Sequence, residues 1–132
     1  MKYGSVVIVN EIEFLDGSLD EEGYKRKCIV LFETEEQLCV CPIISHVPSF
    51  NKNPDNYYFL PFTNKNGRKF TFAKLNSIIF INKYDVLEVI DYLDNSNMIR
   101  LISKMKNNYL NYEKQEYYLE TINKIEENIP VK

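Results

Sequence analysis

The order of apolar and polar positions along this chain changes period once, near residue 94. Before it, Val6–Val9 is an unbroken β-branched run of the kind that forms a buried strand. Cys28–Phe32 and Gln37–Ile43 are apolar runs of strand length. Glu33-Thr34-Glu35-Glu36 separates them, which predicts a hairpin. Tyr57–Phe62 and Arg68–Ala73 flank Asn64-Lys65-Asn66-Gly67, where Asn-Gly supplies the positive φ of a tight turn, so a second hairpin is predicted. Ser77–Ile81 and Val86–Leu93 bring the expected count to about seven short strands. Two loops interrupt them: Asp16 through Gly23, and an aperiodic stretch from Ser45 to Asn56 with two prolines and three asparagines.

After residue 94 the period becomes helical. Asp94 is placed to cap free amides, with Leu93 and Met98 spaced as a hydrophobic staple. Met98, Ile102, Met105, Tyr109 and Tyr112 then form one apolar stripe. The stripe weakens at Glu116 and resumes at Leu119, Ile122 and Ile129. The tail from about residue 113 is therefore a continued or second helix ending before Pro130, packed on the domain or on a partner. The pattern predicts a mainly β chain with C-terminal helix, α+β overall: a small curled antiparallel sheet followed by one or two helices.

Length and composition fit one domain. A chain of 132 residues buries roughly two-thirds of its unfolded surface, and 45% apolar residues with 14% aromatic is ordinary for a folded globule. The start has one lysine before a six-residue apolar stretch, unlike a secretory leader, and no apolar run approaches the ~18 residues that span a bilayer. A soluble, cytoplasmic protein is expected. Three cysteines do not make a disulfide framework. Cys39 and Cys41 alternate on one strand face and suit core packing, and a lone His46 leaves a zinc site without ligands.

Charge changes the picture more. The net charge is −3, yet residues 51–84 carry Lys52, Lys65, Arg68, Lys69, Lys74 and Lys83 against Asp55 alone. This basic segment within an acidic chain is either a polyanion-binding face or a solvated hairpin. Tyr57, Tyr58, Phe59 and Phe62 are interleaved with it. Strand alternation sends half of them inward, leaving at most two as stacking platforms for unpaired bases.

Several motifs occur in a telling order. Gly4-Ser5-Val6-Val7-Ile8-Val9-Asn10 opens the chain, and Phe14-Leu15-Asp16-Gly17 precedes the second strand. Lys25-Arg26-Lys27-Cys28-Ile29-Val30-Leu31 and Cys41-Pro42-Ile43-Ile44-Ser45 follow, then Phe72-Ala73-Lys74-Leu75-Asn76-Ser77-Ile78 and Ile81-Asn82-Lys83. Together they resemble the MazF/PemK family of toxin endoribonucleases over about residues 3–112. Two positions depart from the family pattern: Lys27 stands where proline is usual, and Ile44 where the family has threonine. The resemblance implies an SH3-like toxin-type barrel with a C-terminal helix for residues 1–112, and makes 113–132 a helical extension of the same domain.

The resemblance also implies chemistry. The family cleaves single-stranded RNA without metal or cofactor, the ribose 2′-hydroxyl attacking the adjacent phosphate. That reaction needs a cation for charge developing on phosphorus and groups that move two protons. Arg26 matches the family's essential arginine, whose planar guanidinium grips two phosphate oxygens better than a lysine does. Ile44 neither donates nor accepts a proton, so Ser45 and His46 are the candidates for the vacant role, His46 through its near-neutral pKa. Lys25, Lys27, Tyr57, Lys65, Arg68, Lys69 and Lys74 complete the expected RNA-binding set. Expected partners are single-stranded RNA, an antitoxin peptide or protein and a second copy in a homodimer, with no membrane. The alternative set by Ile44 and the net acidity is a catalytically inactive barrel that binds protein or nucleic acid as a phage or plasmid regulator. A third reading is a gyrase-poisoning relative of the same barrel.

Overall fold

A computed structural model describes residues 3–10, 25–44, 56–60, 71–112 and 115–128. Within them lie seven strands and two helices. The strands are β1 (Ser5–Asn10), β2 (Lys25–Glu33), β3 (Gln37–Ile44), β4 (Tyr57–Phe59), β5 (Phe72–Lys74), β6 (Ile79–Asn82) and β7 (Val86–Tyr92). The helices are α1 (Asn95–Asn108) and α2 (Gln115–Asn128). All seven predicted strands are present, and every strand pair is antiparallel. β4 and β5 pair as a hairpin requires, while its Asn64–Gly67 turn lies outside the described residues. The order is β4-β5-β3-β2-β1-β7, with β6 also paired to β3. The sheet is barrel-like but does not close, because β4 and β7 end it rather than pair.

The fork on β3 explains an unusual proline. Residues Gln37–Val40 pair with β6, and Ile43–Ile44 pair with β5. Pro42 has no N–H to give a ladder and falls in the gap between those two pairings. Both faces of β3 are buried from Leu38 through Ile43, hence its continuous apolar run where a half-exposed strand would alternate.

Two clusters fill those faces. On one, Ile29 and Leu31 of β2 and Cys39, Cys41 and Ile43 of β3 pack with Met98, Leu101, Ile102 and Met105 of α1 and Tyr118, Ile122 and Ile125 of α2. On the other, Val7, Val9, Cys28, Val30, Leu38, Val40, Ile79 and Ile81 form a smaller cluster, with Val86 against it. All three cysteines are buried, as their strand positions predicted.

The entry to α1 forms as the sequence reads. The Asp94 carboxylate accepts from the Asn97 amide at 2.9 Å, a cap worth about 1 kcal/mol. Leu93 and Met98, which flank that cap at staple spacing, are both buried in the larger cluster. Gly4 joins the same corner: its amide donates to Val30 O and its carbonyl accepts from the Leu93 amide, both at 2.7 Å. Its φ is +85°, and a Cβ there would lie 2.9 Å from the Leu93 carbonyl oxygen, so only glycine fits.

The tail is a second helix that packs on the domain rather than continuing α1. A single 3-10 turn at Tyr109–Asn111 ends the first helix and resets the phase. The buried face of α2 is consequently Tyr118, Thr121, Ile122 and Ile125, and the Leu119 expected inside is exposed. Ile129 lies outside the described residues. The Tyr118 hydroxyl accepts from the Ile78 amide at 3.4 Å and its ring meets Tyr112 edge-on, tying α2 to the connection between β5 and β6.

Candidate nucleic-acid interface

Backbone register places Arg26 in one ladder and Ile44 in another. Val9 of β1 lies opposite Arg26 of β2. β2 meets β3 with Cys28 opposite Pro42, the last pair of that ladder on the side of Arg26 and Ile44. Ile44 in turn lies opposite Phe72 of β5, which lies opposite Phe59 of β4. Ile44, Phe72 and Phe59 thus form one cross-strand row that ends on two aromatic residues, with Arg26 on the neighbouring strand β2.

The aromatic end has a definite shape. Phe59 is 50% exposed and Phe72 half-buried, their ring centroids 5.5 Å apart at 74°. Tyr57, expected to contact RNA, is only 6% exposed, with its ring edge-on to Phe72 at 6.5 Å. Its burial makes it a support for Phe72, and Phe59 is the aromatic residue turned to solvent. Tyr58 points to the opposite face, where its hydroxyl donates to Asn97 Oδ1 at 2.6 Å. Tyr3 hydrogen-bonds Asn95 Oδ1 nearby, so both tyrosines brace the start of α1.

The described cations lie on both faces of the sheet. Lys27 is exposed on β2, and Lys74 is half-buried at the end of β5, opposite Tyr57. The Lys74 carbonyl accepts from the Cys41 thiol at 3.3 Å, which fixes β5 against β3 at that point. Lys83, counted in the basic segment, instead pairs with Glu33 at 3.1 Å across the β3–β6 side of the sheet. Lys25 begins β2 beside Arg26. Ser45, His46, Lys65, Arg68 and Lys69 lie outside the described residues.

Burial removes two other chemistries. It pushes the Cys39 and Cys41 thiols up, so neither is a thiolate nucleophile at neutral pH. Burial raises the Tyr118 hydroxyl too, against the lowering effect of its bond to Ile78. The role of Phe72 was not visible in the sequence, since it depends on which residue of β3 it faces. No protein-family model matches this sequence, and no curated protein matches it.

Proposed function

We propose that this chain is a toxin of the MazF/PemK type, a metal-independent endoribonuclease that cleaves single-stranded RNA in the cytoplasm. The observation that supports it is the cross-strand row Ile44–Phe72–Phe59, with Arg26 on the adjacent strand β2. A cation at one end suits a phosphodiester, and an exposed ring at the other suits an unstacked base. Lys74, on the same face of β5 as Phe72, extends the positive charge along the backbone path.

In this reading the substrate 2′-hydroxyl attacks phosphorus and the 5′ oxygen leaves, giving a 2′,3′-cyclic phosphate. Arg26 holds two nonbridging oxygens and stabilises the charge that develops on them. Ile44 excludes water beside Arg26 and moves no proton. The 2′-hydroxyl proton and the leaving-group proton fall to His46 and Ser45, the next residues along the chain. The resemblance adds an antitoxin peptide as inhibitor and a homodimer as the working unit.

The test is incubation of purified protein with a long unstructured RNA in EDTA, beside Arg26→Ala. The expected outcome is cyclic-phosphate ends, with a rate about 10²-fold to 10³-fold lower in the variant. A second reading is favoured by Ile44 itself: a binding module that holds RNA on the same row without cutting it. RNA that stays intact at saturating protein, yet shifts in anisotropy and loses the shift with Arg26→Ala, establishes that reading instead.

A further inference from the structure

β7, at the end of the sheet away from Phe59, is built unlike its neighbours. It pairs with β1 alone, so among the described residues no strand occupies its outer edge. It is exposed almost throughout, with Leu87 at 47%, Val89 at 38%, Ile90 at 41% and Tyr92 at 57%. Free edges are ordinarily blunted by charges, prolines or bulges. β7 has two carboxylates and two register shifts against β1, which limit indiscriminate pairing. Four large apolar side chains between those devices are the reverse of blunting, and contiguous exposed apolar residues on an edge mark a surface made for a partner.

The charge pattern says which partner. Asp85, Glu88, Asp91 and Asp94 recur at every third position, and no lysine or arginine occurs from residue 84 to residue 99. A second copy laid antiparallel about Val89 would place Glu88 diagonal to its own counterpart. One centred between Val89 and Ile90 would put Glu88 opposite Asp91. Like charges in those positions oppose strand pairing, and opposite charges favour it. We propose that β7 receives an extended strand of a separate protein in which lysine or arginine alternates with apolar residues. Main-chain hydrogen bonds to the β7 edge supply affinity; Glu88, Asp91 and the apolar side chains between them supply selectivity. This surface uses none of the residues of the RNA reading and stands or falls apart from it.

The test uses the full chain and a fluorescent peptide of ~10 residues alternating lysine with valine, enough to cover one strand. Two comparators are the glutamate–valine peptide and the lysine–valine peptide with alternate amides N-methylated to block strand addition. The lysine–valine peptide is expected to bind about tenfold more tightly than the glutamate peptide, and methylation to abolish binding. The paired reversals Glu88→Lys and Asp91→Lys, on an exposed strand and checked for unchanged circular dichroism, are expected to invert that preference. Hydrogen exchange at β7 is expected to slow only when peptide is present. The absence of binding, equal binding of the methylated peptide, or an unchanged preference in the reversed variant overturns the proposal. So does protection of β7 without peptide, which means a second copy if it grows with protein concentration and the chain's own segments if it does not.

Discussion

The two sides of this sheet are filled differently. One carries a large cluster closed by α1 and α2, to which β1, β2, β3 and both helices contribute. The other carries eight buried residues with no helix among the described residues in their cluster, and its face continues past Val40 to Ile44, Phe72 and Phe59, where exposure rises. Helices need a broad apolar surface and commit it wholly to packing. The side without them leaves strand ends available for contact. The difference teaches that stability belongs mostly to the covered side, while the ligand chemistry proposed above falls on the other.

Matched truncations test this most strongly. Leu31→Ala in the larger cluster is expected to cost about 4 kcal/mol and Leu38→Ala in the smaller one about 2.5 kcal/mol, because fewer buried side chains surround Leu38 and lose contacts to the cavity. Both leucines are fully buried, so urea unfolding of the two variants compares the sides rather than the residues. Equal costs would break the comparison.

Alkaline titration gives the next largest effect, through two thiols of the covered side. Burial holds the Cys39 and Cys41 thiols above their ordinary value near 9. Above that value the unfolded chain gives up thiol protons that the folded chain keeps. Stability is therefore full below about pH 9 and falls as the pH rises, by up to ~1.4 kcal/mol per unit for each thiol. Unfolding measured from pH 8 to pH 10 is expected to show this slope, and a Cys39→Ala, Cys41→Ala variant to flatten it whatever its baseline.

Two smaller effects sharpen the boundary between the sides. Tyr118→Phe removes the acceptor for the Ile78 amide and is expected to cost about 1 kcal/mol in thermal or urea unfolding. Phe59→Ala, at an exposed position, is expected to change stability by less than ~0.5 kcal/mol. Its effect belongs to the open side: RNA affinity measured by anisotropy is expected to weaken by about tenfold through lost stacking.

Much of the fold was legible because its elements carry their own signals. β-branched runs marked the strands, and Leu93, Asp94 and Met98 marked the start of α1. The buried face of α2 was not legible. Extending the helical phase of α1 selects Leu119, whereas the turn at Tyr109–Asn111 rotates Tyr118 and Ile125 inward instead. Val86–Leu93 reads like any buried strand, since only sheet order reveals that β7 ends the sheet. Of the candidate site, Arg26 and Ile44 stood out through resemblance, but that Ile44 lies opposite Phe72 and Phe72 opposite Phe59 is a matter of register. Register likewise made Tyr57 a support and Phe59 the exposed ring, a choice that alternation alone leaves open.

The position of β1 has a consequence for how the protein is made. Of the described strands, β1 leaves the ribosome before the others, and it lies between β2 and β7, with Val6 opposite Ile29 on one side and Asp91 on the other. At 5–20 residues per second, β1 waits on the order of ten seconds for β7 to be synthesised. Throughout that interval a β-branched strand has one edge without its native neighbour. The nascent chain is thus most prone to mispairing with other chains during translation, and slowing elongation beyond residue 40 would lengthen that exposure.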